Sequence, residues 1–206
     1  LVCRDARWLS VRLHHVFDPK FDGWPSTSEC IAVVGGGISA AQVALRLVDE
    51  GHDVHLISRH PLREHQFDSE PGWLGPKLMT GFQLEKDVER RRMMIADARH
   101  KGSVPPEVRR SLRAAIHLAQ LQRHQGEVDH VDVHDAGLTL RLSNGDEVEV
   151  HRVLMATGFT GHRPGGDLID GLIESASLPC ASCGYPIVDS ELRWHPRVYV
   201  SGPLAE

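Results

Sequence analysis

Residues 31–59, IAVVGGGISAAQVALRLVDEGHDVHLISR, decide how the rest of the chain is read. Ile31-Ala32-Val33-Val34 is a short β-branched run that ends in glycine, the pattern of a buried parallel strand. Gly35-Gly36-Gly37-Ile38-Ser39-Ala40 follows at once and fits G-x-G-x-x-G/A. Ala40, Ala44, Leu47 and Val48 then share one helical face, and Gly51 stands where a helix C′ residue belongs. Val54-His55-Leu56-Ile57 is the second strand. Strand, glycine turn, helix and strand in this order define a dinucleotide-binding βαβ unit, with an ordinary glycine-rich turn as the bland alternative. Gly35 allows the tight turn, Gly37 lets a pyrophosphate approach the backbone, and Ala40 lets the helix lie close on the sheet. The helix N-terminus offers N–H groups and partial positive charge to the phosphates.

The end of the second strand selects the nucleotide. An NAD site places Asp or Glu there for the ribose 2′-hydroxyl. This chain has Ser58-Arg59-His60, then Arg63, and no carboxylate there to repel a 2′-phosphate. Arg59 offers a bidentate guanidinium and Ser58 a hydroxyl, so NADPH is expected over NADH.

Composition bounds the rest. The chain has 206 residues, 41% hydrophobic, with net charge −5, which argues against a nucleic-acid surface. Cys30 to Leu45, the longest uncharged apolar stretch, is too short and too polar to cross a bilayer. No signal peptide is visible, and four cysteines make no disulfide scaffold, so the expected compartment is the cytoplasm. The fourteen histidines are scattered, with no His-x-x-x-His pair beside a carboxylate or thiol, and no metal ligands are assigned. A start at Leu1 and a stop soon after a strand-like run suggest a piece of a longer protein.

Outward from the βαβ unit, residues 1–29 are a weakly patterned lead-in, with a possible strand over Trp8–Leu13 and Trp24 as a packing residue. Residues 61–82 read as a Gly/Pro-rich loop, either a surface excursion or a segment bringing His65 and Lys77 to a cofactor. Leu84 to Arg99 reads as a helix with Leu84, Val88, Ile95 and Ala98 as its stripe; Arg90-Arg91-Arg92 is a solvated face, with phosphate attraction as the alternative. Pro105-Pro106 starts another helix, with Val108, Leu112, Ala115 and Ala119 facing the core and its end near Gly126. The period then switches to two. Val128–Val133, Leu138–Leu142 and Val148–Val150 form a three-stranded antiparallel meander, turned at Asn144-Gly145 with positive φ expected at both residues. Val153–Ala156 is a buried strand that leads into Thr157-Gly158-Phe159. Residues 160–186 read as loop, and Val198–Gly202 as a last strand.

This order resembles the NADPH domain of two-dinucleotide flavoproteins. Ala156-Thr157-Gly158-Phe159 resembles the A-T-G-[YF] signature of flavin-containing and lysine/ornithine N-hydroxylating monooxygenases, and Val33 to Ala41 resembles their NADPH fingerprint. The resemblance implies an α/β fold, a Rossmann-like parallel sheet carrying a three-stranded antiparallel meander. It implies a lead-in over 1–29, an NADPH-binding domain over 30–160 with a helical insert at 83–125, and a loop-rich return toward a flavin domain over 161–206. It further implies a flavin-dependent oxidoreductase, most nearly a monooxygenase acting on a small molecule, in which NADPH reduces FAD. Gly35, Gly36, Gly37, Ile38, Ser39, Ala40, Ser58, Arg59, His60, Arg63, Ala156, Thr157 and Gly158 are its cofactor-binding candidates. Only one glycine fingerprint is present, and Pro203 stands where reductases often carry Asp, so FAD is expected to be held mainly by residues outside this chain. Two rivals remain: a disulfide-reductase-like enzyme using Cys180 and Cys183, whose C-x-x-C follows the A-T-G strand rather than preceding the fingerprint, and a non-catalytic NAD(P)H-binding module.

Overall fold

A computed structural model describes residues 12–22, 24–159 and 162–205. The first unit comprises residues up to Asp68 together with His100–Gly158. Its centre is a five-stranded parallel sheet. The strands are β1 (Leu13–His15), β2 (Cys30–Val34), β3 (Asp53–Ser58), β6 (Leu121–Gln125) and β10 (Arg152–Met155), in the order β1-β10-β2-β3-β6. Helix α1 (Ile38–Asp49) joins β2 to β3, and α4 (Pro106–His117) precedes β6. Two short strands, β4 (Arg63–Glu64) and β5 (Ser103–Val104), pair in parallel. The meander is β7 (Val128–His134), β8 (Gly137–Leu142) and β9 (Glu147–Val150).

Alternation along the strands builds two cores. Ile31, Val33, Val54, Leu56, Leu121 and Leu154 face the helices and pack on Ala40, Ala44, Leu47, Leu112 and Ala115. Ala32, Ile57 and Val153 face the other way and pack on Val131, Leu138, Leu140, Val148 and Val150 of the meander. The unit is therefore a three-layer stack of helices, parallel sheet and meander, which is why β2 and β3 each place apolar residues on both faces. The α/β class, the parallel sheet and the meander agree with the sequence reading.

The helix ends separate what glycine signals from what it hides. α1 closes as expected on Gly51 (φ 85), with Gly51 N–H donating to Val48 and His52 N–H to Leu47, a Schellman motif. α4 closes by the same bonds, Ala119 to Ile116 and Gln120 to Ala115, but with alanine at φ 56. The helix expected to continue toward Gly126 thus stops at His117, Ala119 lies exposed in the turn, and the chain enters β6. At the meander hairpin only Gly145 has positive φ, not Asn144. The Asn144 carboxamide oxygen accepts from Asp146 N–H at 3.0 Å and Gly145 N–H donates to Leu142, which fits a three-residue loop with its glycine in the left-handed position. Of the expected strand over Trp8–Leu13, residues 8–11 lie outside the described residues; the strand described is Leu13–His15.

The second unit is Ser69–Arg99 with the chain from Phe159 onward. Two segments read as loop are helical here: α2 (Pro76–Leu84) and α5 (Gly166–Ala176). In both, the Gly/Pro cluster taken for a breaker is the helix start, with Pro76 at the first helical turn after Gly75 and Gly165 before Gly166. α3 (Val88–Ala98) begins later than expected because the Asp87 carboxylate caps it, accepting from Glu89 N–H at 2.9 Å and Arg90 N–H at 3.3 Å; Leu84 lies outside it, exposed. Leu178, Trp194 and Val200 form this unit's core, on which Ile169, Leu172 and Ile173 of α5 pack. The last strand is the shorter β12 (Val198–Tyr199), antiparallel to β11 (Arg193–His195). No described helix is long and apolar enough to cross a membrane.

One ion pair ties the first unit's sheet to its lead-in. Arg152 of β10 donates to both oxygens of Glu29, at 2.9 and 3.2 Å, with both side chains about four-fifths buried. The Arg152 hydrogen bonds hold the Glu29 carboxyl below the usual carboxylate range. A pKa depressed by folding adds stability above the unfolded-state value, and that stability is lost as pH falls through the folded value. Urea denaturation of wild type and Glu29→Gln is expected to show a stability gap at neutral pH that closes in acid, below the ordinary carboxylate range. A gap independent of pH would contradict the assignment.

Candidate dinucleotide site

The site lies where the parallel sheet changes direction. From β2 the chain steps one way to β3 and β6; on the other side of β2 lies β10, which arrives last. The crevice outside the carboxyl ends of β2 and β10 is the position at which such sheets bind ligands. The glycine turn follows β2 and Ala156-Thr157-Gly158 follows β10, so register brings the two motifs together: Met155 pairs with Val34, and Ala156 N–H donates to Val34 at 2.8 Å.

The three glycines are not equivalent. A Cβ on Gly35 would overlap the Ala156 carbonyl oxygen and stand 2.9 Å from the Ala40 methyl. Gly35 is thus required by the fold itself, and Ala40 and Ala156 are small for the same reason. Its N–H donates to Ile57, which fastens the turn to β3. A Cβ on Gly36 would meet Ser58 at 3.5 Å, and one on Gly37 would meet Gly102 at 3.6 Å, both ordinary contacts. Gly37 has φ −100, open to any residue. The protein's own packing therefore gives no reason for glycine at 37, whereas a ligand lying on the turn does.

The first helical bond of α1 is Ala41 N–H to Gly37, so the N–H groups of Ile38, Ser39 and Ala40 precede the ladder. No side chain caps this end and no acidic residue lies in its first turn. The donors and the dipole are left for an anion, which fits a pyrophosphate.

The basic turn departs from its sequence reading in two ways. Ser58 is 3% exposed and its hydroxyl donates to the His60 carbonyl at 3.0 Å. It shapes the turn from inside rather than facing outward. Arg59 is exposed, but the carboxylate missing from the end of β3 comes from the turn after β6: Glu127 Oε1 stands 4.0 Å from Arg59 Nη1, with both side chains more than three-fifths exposed. So loose and solvated a pair is weak, and leaves Arg59 free to turn to a stronger anion. His60 is exposed on the same turn and Arg63 at the start of β4. The structure adds Arg123 of β6, whose Nη2 reaches the His60 carbonyl at 3.4 Å and whose buried Nε has no hydrogen-bond partner among the described residues. It places a second guanidinium under the turn. Both Arg123 and Glu127 escaped the sequence reading because β6 did. The available signal was topological: an amphipathic helix over a parallel sheet must lead into another strand.

Other candidates are placed elsewhere. His65 stacks on His100, ring centroids 3.7 Å apart, and Lys77 lies in α2. Arg90 pairs with Glu85, Arg91 lies over the Phe82 ring and Arg92 over the Tyr185 ring, so the arginine run is occupied within the second unit. Trp24 packs beneath the Arg46 guanidinium and donates to Glu50 at 2.6 Å. Cys180 and Cys183 are free thiols in a turn closed by Gly184 N–H to Ala181. Burial pushes the Cys180 thiol up, the opposite of what an attacking thiolate needs.

No protein-family model matches the sequence, and no curated protein matches it. Solved structures do. The L-lysine 6-monooxygenase of Pseudomonas syringae aligns with TM-score 0.64 and 19% identity over 93% of this chain and 51% of its own. The ornithine N-hydroxylase of Kutzneria sp. 744, solved with reduced FAD, NADP+ and L-ornithine, aligns with TM-score 0.61 and 17% identity over 94% and 49%. The ornithine hydroxylase of Pseudomonas aeruginosa gives 0.57 and 20% over 72% and 40%. The chain thus has the fold found in ornithine and lysine N-hydroxylases and spans about half or less of their length.

The contrast between two glycines is directly measurable. Gly35→Ala is expected to lower the denaturation midpoint markedly, because overpacking here has only backbone to displace. Gly37→Ala is expected to stay within about 0.5 kcal/mol of wild type. Comparable losses in both would show that the turn, not its packing on Ala156, is the constraint.

Proposed function

We propose that this chain is the NADPH-binding portion of a flavin-dependent oxidoreductase, monooxygenase-like, acting on a small molecule, with FAD held mainly by residues outside it. The observation that carries the reading is Gly37: a glycine the fold does not need, beside an uncapped helix N-terminus at the switch point of the sheet. The N–H groups of Ile38, Ser39 and Ala40 hold the pyrophosphate. Gly36 and Gly37 keep its approach clear, and Ala156, Thr157 and Gly158 form the opposite wall of the crevice. Arg59 binds the 2′-phosphate, with His60, Arg63 and Arg123 adding positive charge around it. When bound, NADPH supplies a hydride to the flavin; the chain supplies position and charge. The likeness to N-hydroxylase structures supports the general flavoprotein class, and the raised Cys180 thiol weighs against a disulfide reductase.

Titration of NADPH and NADH against wild type, Gly37→Ala and Arg59→Ala tests it. NADPH is expected to bind more tightly than NADH. Arg59→Ala is expected to weaken NADPH alone by about 1.5–3 kcal/mol, the scale of a hydrogen bond to a charged group. Gly37→Ala is expected to weaken both nucleotides. Equal NADPH affinity in wild type and Arg59→Ala would remove the phosphate role, and no nucleotide binding by the folded chain would remove the reading itself.

A further inference from the structure

The face of the parallel sheet beneath the meander carries a second cluster of polar side chains, at the opposite end of β2 from the glycine turn. Cys30 and Asp53 are the first residues of β2 and β3 and pair directly across the two strands. His55 lies two residues on, so its side chain shares their face. One ligand atom from each of the three lies within 4.8 Å of the others. The Nε2 of His55 stands 4.0 Å from Asp53 Oδ2, beyond hydrogen-bond reach. Its Nδ1 is 2.9 Å from Nε2 of His124, on the neighbouring strand β6.

We propose that Cys30, Asp53 and His55 bind a divalent transition-metal ion of the zinc class, with His124 positioning His55. The donor set is thiolate, carboxylate and imidazole, which suits zinc or a similar borderline cation and not magnesium or calcium. Tetrahedral zinc with these donors places ligand atoms about 3.4–3.6 Å apart. The gap from the observed spacing is closed by small side-chain rotations, the easiest being Asp53, whose side chain is 60% exposed. That exposure also gives the ion a path in and leaves a fourth position for water.

The His55–His124 bond is the second-sphere feature such a site needs. With Nδ1–H of His55 donating to His124, the lone pair on His55 Nε2 is directed to the side on which Asp53 lies. Burial, with Asp53 beside it, raises the Cys30 thiol to about 11, and its Sγ lies 3.4 Å from the Glu149 carbonyl, to which the S–H donates. Ion binding exchanges this thiol proton for the metal and releases it to solvent. The assembled site clips β2 to β3 and, through His124, to β6.

The test is cobalt(II) titration of the reduced chain, followed by displacement with zinc. One equivalent of cobalt is expected to give a thiolate-to-metal charge-transfer band with visible bands of tetrahedral intensity. Zinc is expected to abolish them and magnesium to leave them. Cys30→Ser should remove the charge-transfer band, and the Cys180→Ser/Cys183→Ser double variant should keep it. Asp53→Asn, at an exposed position that spares the fold, and His55→Ala should each weaken binding at least tenfold; His124→Ala should weaken it while keeping the band. Circular dichroism checks that each variant is folded. Absence of the band in wild type, its survival in Cys30→Ser, or unchanged affinity in folded Asp53→Asn would overturn the site.

Discussion

The first unit depends on how closely β2 and β10 end beside each other. Gly35 has no room for a methyl group, because the Ala156 carbonyl and the Ala40 side chain already occupy that space. This contact fixes where α1 begins, since only three residues separate the end of β2 from the helix, and Ala40 of its first turn packs beside Ala156. It also fixes where the helix N-terminus points. Close packing with no slack transmits such a constraint without loss. The other side of the turn, by contrast, has room for a side chain at Gly37. Tight on one side and clear on the other is the arrangement by which a protein prepares a surface for a ligand before the ligand arrives.

Charge around the crevice follows from sheet order rather than chain order. Arg59 and Glu127 are far apart in sequence yet follow the ends of adjacent strands, at Ser58 and Gln125. The basic turn is thus not an isolated run of cations. It is a partly compensated group in which Glu127 lies against Arg59, Arg123 supports the His60 carbonyl, and Ser58 holds the turn from beneath. A phosphate entering this group competes with a solvated carboxylate, a modest opponent.

What was legible in the sequence is what repeats at a fixed period or is marked by glycine. β2, α1 and β3 announce themselves by β-branched runs, a helical stripe and Gly51. The meander does so by strict alternation. β6 was illegible because Leu121-Gln122-Arg123-His124-Gln125 has one apolar residue in five, and because the preceding helix ends on Ala119 where glycine is the usual marker. α2 and α5 were hidden by their own start signals, Gly and Pro read as interruption. The Cys30, Asp53 and His55 group was invisible for a different reason. A search for histidines at helical spacing looks along the chain, whereas these residues meet across strands whose pairing only the fold supplies.

The discontinuity of both units has a consequence for synthesis. The first unit needs residues on both sides of 69–99, and the second needs that segment together with the chain beyond 158. On a ribosome adding about 5–20 residues per second, Ser69–Arg99 emerges roughly 3–12 seconds before the segment that shares its unit begins to appear. During that interval β10 arrives and can close the first sheet, with α2 and α3 held out as a loop. Glu89 accepts from the Ser182 hydroxyl, 93 residues on, so that bond forms only once the later segment is made. The arginine run and acidic cap of α3 keep this waiting segment charged, and charge of both signs on a nascent helix is what discourages it from adhering to the wrong neighbour.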